Sequence, residues 1–187
     1  SAMSKMLAIC DEFAAEHDIL FNASKYKCIY FYPKYRSNSL LHRYDISKLN
    51  FTNNNYNIEF VDSYKHLGHI ISNTHTDDVD INEQRCVFIG QTNNVLCYFA
   101  KLSANVRLRL FSSYCISFFG SELWRLDNTC IDDICISWRK AIRRIWSLPY
   151  NTHSHLLPLL CNCLAINDQF CDRFLNFVRR CLSEHSS

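Results

Sequence analysis

The sequence predicts an α+β chain: a small strand and hairpin piece followed by a mainly α-helical bundle. Two observations carry this. Short β-favouring runs occupy the chain up to about residue 72, and apolar residues then recur at helical spacing with no return to a strand pattern. In addition, 187 residues that are 48% hydrophobic can bury one substantial core or two small ones. The change of period places a boundary near 72–77, giving a first part over 1–76 and a helical part over 77–187.

In order along the chain, Met3, Met6, Cys10, Phe13, Ala14 and His17 share one face of a first helix, which Asp18 ends without glycine. "DILFN" and "KCIYFYP" read as strands joined by the turn "NASK", the second closed by Pro33. The stretch 34–57 is polar and asparagine-rich, with "LLHRYDI" as a candidate strand and "NFTNNNYN" as a loop. "IEFVDSYKHLGHII" follows as a hairpin. Ile81, Phe88, Val95 and Leu102 then fall seven apart, with Phe99 on the same arc, which predicts a long amphipathic helix.

The run 104–119 is apolar nearly all round, the pattern of a helix buried in the middle of a bundle, and Gly120 stops it. "TCID" resembles a capping box that opens a helix with Ile131, Ile134, Cys135, Trp138, Ile142, Ile145 and Trp146 inward, ending before Pro149. After "HSHLLPLLC", a last helix from about Asn167 turns Phe170, Phe174, Phe177, Val178 and Cys181 inward.

Charge narrows the function classes. Lysine and arginine total 20 against 18 acids, a net +2, so no global field forces a nucleic-acid partner and any such partner must be read from local patches. One such patch is Arg139, Lys140, Arg143 and Arg144, on the arc opposite Trp138 and Ile142, where phosphate contact is a natural use. Cations at the end of that helix, with Asp132 and Asp133 at its start, equally serve the helix macrodipole. Arg107 and Arg109 can track a backbone or simply extend from a buried helix by their apolar stems.

The eleven cysteines are odd in number and lie on apolar stripes, which fits a reducing, intracellular compartment rather than a secreted disulfide scaffold. No apolar run approaches the ~18 residues of a membrane span, so a soluble chain with no membrane partner is expected. His153 and His155 with Cys161 and Cys163 are zinc-type ligands at uncommon spacing, and packed cysteines with surface histidines are the preferred reading. No metal site is expected. Gly68 is one of only three glycines, and its place in an apolar hairpin suggests a turn, or a backbone that something approaches closely.

Taken together, "AMSKMLAICDEFAAEHDILFNASKYK", "YKHLGHIIS", "LFSSYCISFFGSELW" and "WRKAIRRIWSLPYNTHSHLLPLL" resemble the reverse transcriptase of non-LTR retrotransposons, over nearly the whole chain. The resemblance implies the C-terminal edge of a polymerase palm, then the thumb and the start of the region beyond. Phe21, Asn22 and Lys25 match the family's fourth polymerase motif, and Lys25 would be the acid on the pyrophosphate side. Lys65, Leu67 and Gly68 match its primer grip, and "GSELW" (120–124) a thumb signature. Tyr26 and His66 depart from it, standing where a small serine and a tyrosine are usual.

The implied function is RNA-directed DNA synthesis. Its partners are an RNA template, a DNA primer, and the palm and fingers that precede this stretch in the polyprotein. The implied compartments are cytoplasm and nucleus. Magnesium serves the intact enzyme, but this chain binds no cofactor and lacks the metal-holding carboxylates, so alone it is expected to be inactive. The alternative is a helical nucleic-acid-binding or protein-interaction module of retrotransposon origin without polymerase function.

Overall fold

The computed structural model describes residues 2–22, 25–31, 51–53 and 56–184. The chain is α+β and mainly helical, in two compact units: Ser1–His66 with Ile71–Thr76, and Leu67–Ile70 with Asp77–Ser187.

The first unit opens with α1 (Ala2–Glu16). Of its apolar stripe only Ala14 is buried, while Met6, Ile9 and Phe13 remain exposed. Asp18 ends it with a left-handed φ of 52°, as the Ile19 N–H reaches back to the Ala14 carbonyl at 2.9 Å. That six-to-one bond is the Schellman closure usually made with glycine, and aspartate is among the few other residues that tolerate it.

"DILFN" forms no strand, and the described part of "KCIYFYP", residues 27–31, forms β1 over Lys27–Cys28. β2 (Thr52–Asn53) and β3 (Tyr56–Asn57) pair antiparallel where a loop is expected, with Thr52 opposite Asn57. β4 (Glu59–Phe60) runs parallel to β1 with Lys27 opposite Glu59, and the two side chains form an ion pair. "LLHRYDI" lies outside the described residues. The expected hairpin is β5 (Ser63–His66) with β6 (His69–Ser72).

The second unit contains α2 (Asp78–Tyr98), α3 (Ala104–Tyr114), a 3₁₀ turn (Ser121–Leu123), α4 (Cys130–Ile145), α5 (Leu156–Cys161) and α6 (Ile166–Glu184). α2 buries Ile81, Phe88 and Val95, but ends before Phe99 and Leu102, which stay exposed. The central helix is α4, not the 104–119 run. It buries Ile131, Ile134, Cys135, Trp138, Ala141, Ile142 and Ile145, whereas α3 buries Phe111 alone.

Thr129 makes no side-chain cap, and instead Asn128 Oδ1 accepts the Cys130 N–H at 2.8 Å. A cap is worth about 1 kcal/mol and each buried isoleucine about 1.5–3, so burial forms this helix without the predicted box.

α3 stops at Tyr114 for a reason remote in sequence. The Arg173 guanidinium, from α6, donates to the carbonyls of Ile116, Ser117 and Phe118 at 2.8, 2.6 and 3.1 Å and to Ser121 Oγ at 3.2 Å. These bonds hold the chain in a non-helical path, and Phe118 takes a left-handed φ of 32°. Its ring is thereby buried against Phe88, Trp124 and Phe170, at centroid distances of 5.4, 6.3 and 5.3 Å. α6 covers only the start of its stripe: Ile166 and Phe170 are buried, while Phe174, Phe177 and Cys181 are exposed.

Candidate nucleic-acid interface

The turn between β5 and β6 is built from Leu67 and Gly68, both left-handed at φ 48° and 91°, as a tight two-residue hairpin turn demands. Leucine is strained in that conformation and turns its side chain out to solvent, 80% exposed. Gly68 lies against the Phe119 ring, which a Cβ would meet at 3.3 Å.

The two residues after the turn are fixed by one carboxylate. Asp80, in the first turn of α2 and only 4% exposed, accepts the Ile70 N–H at 3.0 Å on Oδ1. Its Oδ2 accepts the Trp124 indole N–H at 2.8 Å and meets His69 Nδ1 at 3.2 Å. The helix N-terminus favours a negative charge there.

The His69 ring then occupies the space beside Gly120, where a Cβ would stand 1.5 Å from His69 Nε2. Gly120, at φ 76°, is therefore not a helix stop, since α3 has already ended at Tyr114; it leaves room for a ring. "HLGHI" and "GSELW" thus converge on Asp80.

Lys25 and Lys65 belong to the first unit, Leu67 and Gly68 to the second. Lys25 is exposed, and its carbonyl accepts the Tyr64 hydroxyl at 2.9 Å, which sets its turn beside the strand that carries Lys65. Tyr26, the bulky departure after the motif lysine, packs edge-on against Phe21 at 5.5 Å.

The four α4 cations divide into two rows. Arg143 is committed to the segment after the helix, donating to the Thr152 carbonyl at 2.8 Å and to Ser154 Oγ at 3.1 Å. Arg139 borders a cavity of about 220 Å³ on that same side, with His155 and Asn167. Lys140 and Arg144 face α2, where Arg144 donates to Asn93 Oδ1 at 2.7 Å and a third cation, Arg85, donates to Ser137 Oγ at 3.3 Å. On α3, Arg107 is half-buried and Arg109 exposed.

Sequence reasoning missed Asp80, Arg85 and Arg173. Asp80 reads as an ordinary first-turn acid, and the other two as solvated helix cations. The available signal for Arg85 is the absence of any acid from 84 to 98.

The His153 and His155 rings lie 5.4 Å apart. Burial pushes the Cys161 thiol up to about 11, opposed in part by the Trp146 indole, and burial also raises Cys163. Among the described residues no three His, Cys, Asp or Glu groups are arranged to hold a metal ion. A thiol above its ordinary value stays protonated until pH nears that value, so alkylation of Cys161 is expected to lag behind that of exposed Cys181 at pH 8 and to catch up only toward pH 11. Mass spectrometry of iodoacetamide-treated protein checks this; equal rates at pH 8 would refute it.

Among the described residues no helix is long and apolar enough to cross a membrane. Compared with known proteins, the chain matches no family model, no curated protein and no solved structure.

Proposed function

We propose that the chain is the C-terminal palm edge and thumb of a non-LTR-type reverse transcriptase, and that it grips the primer terminus and the template-primer duplex. What supports the reading most is the meeting of its two motifs. The Leu67–Gly68 turn is held out at a hairpin tip, and the two residues behind it are pinned by Asp80 to the tryptophan of "GSELW".

A bare Gly68 backbone and an outward Leu67 suit close approach to a sugar at the primer end, with Lys65 just before the turn pair for a nearby phosphate. Lys25 would serve as the acid for the leaving pyrophosphate. The magnesium ions of such a polymerase find no fitting carboxylate set among the described residues. Their ligands would belong to the preceding palm.

The test is photocrosslinking from a primer with a reactive 3′-terminal nucleotide, annealed to an RNA template. Crosslinks should map to 65–68 and fall about tenfold or more in Leu67→Asp, whose circular dichroism should be unchanged. Absence of duplex binding at low salt, or crosslinks confined to other segments, would overturn the reading.

A further inference from the structure

We infer that the cleft between α2 and α4 is a phosphate track that holds one nucleic-acid strand lengthwise through Arg85, Lys140 and Arg144. This rests on the nucleic-acid reading above and names the surface that serves it. The two helices run side by side in the same direction, as three rungs show: Asn82 to Cys130 at 3.7 Å, Arg85 to Ser137 at 3.3 Å, and Asn93 to Arg144 at 2.7 Å. Between the last two rungs lies a cleft of about 160 Å³ with Phe88 and Ala141 in its lining and all three cations around it.

No acid is among the residues that line it, and Glu83 and Asp133 stand just outside. No acid occurs over 84–98 or over 134–146, the stretches of α2 and α4 that line the cleft. Arg85 and Arg144 are oriented by a hydroxyl and an amide, not by carboxylates, so each keeps its full charge and most of its five N–H donors for a ligand.

The dimensions suit a strand rather than a lone anion. From residue 85 to 93 a helix rises about 12 Å, and one strand of duplex carries a phosphate per ~3.4 Å of axis, so about three phosphates span the cleft. Arg139 and Arg143, on the other side of α4, are left out of this track.

The test is a salt titration of template-primer binding by the wild type, by Arg85→Gln/Lys140→Gln/Arg144→Gln, and by Arg139→Gln. Each phosphate that the protein no longer neutralises should lower the log–log salt slope by about 0.9, so the triple variant should fall by about two to three units and Arg139→Gln by less than about one. Lys140→Glu, which breaks no hydrogen bond among the described residues, should lower the slope by about one unit and keeps the test valid if the triple variant does not fold. A folded variant with the wild-type slope overturns the track while leaving the primer-terminus crosslink, and hence the polymerase reading, standing. Crosslinks absent with a cleft-dependent slope would do the reverse, and a wild type that binds no nucleic acid sinks both. Binding of poly-glutamate through these residues, with nucleic-acid binding indifferent to them, would assign the cleft to an acidic protein and overturn the track.

Discussion

Asp80→Ala is expected to cost about 3–5 kcal/mol of stability, read as a lowered urea midpoint with Trp124 fluorescence shifted toward that of a solvated indole. The side chain itself buries little apolar surface, so the destabilisation comes from its partners. Removing the carboxylate orphans the Ile70 N–H and the Trp124 indole N–H, each costing about 1–3 kcal/mol when left buried, and removes the anion beside His69. Asp80→Asn keeps the shape but only one of the two acceptor oxygens, so one of these N–H groups is still orphaned, and it should cost about 1–3 kcal/mol. A change under about 1 kcal/mol in the alanine variant would mean that the hairpin tip does not depend on this carboxylate. The same variant also tests the proposed role, because a tip released from Asp80 should lose the 3′-terminal crosslink while the cleft's salt slope persists.

Gly120→Ala is the second large effect, expected at about 2–5 kcal/mol from two separable causes. A Cβ would sit 1.5 Å from His69 Nε2 and 1.8 Å from Cε1, so the ring must leave its place against Asp80. At φ 76° the new side chain is also strained by about 1–2 kcal/mol whatever the space around it. The double variant His69→Ala/Gly120→Ala separates them: it should recover the steric part and leave only the backbone part. Strict additivity of the two single effects would show that the ring is not what Gly120 makes room for. By comparison Gly68→Ala, which meets only the Phe119 ring at 3.3 Å, should cost little beyond its own φ.

These two residues also show where sequence reading ends. Period and composition by themselves determined the α+β class with its helical bundle, the β5–β6 hairpin, and the inward stripe of α4, because each depends on residues a few positions apart. The Leu67–Gly68 turn belongs with them, since a glycine in an apolar hairpin already signals an unusual backbone. Tertiary structure alone decided that α4 and not the 104–119 run is central, and that α3 stops at Tyr114. It also decided that Asp80 is the hub of the candidate site and that Arg85 joins Lys140 and Arg144. The residues behind these outcomes have partners far along the chain: Trp124 for Asp80, Ser137 for Arg85, the 116–118 carbonyls for Arg173. An acid in a first helical turn, or an arginine on a helix face, carries the same local pattern whether water or a buried partner completes it. Only the folded chain brings that partner within hydrogen-bond reach, where exclusion of solvent makes the pairing obligatory.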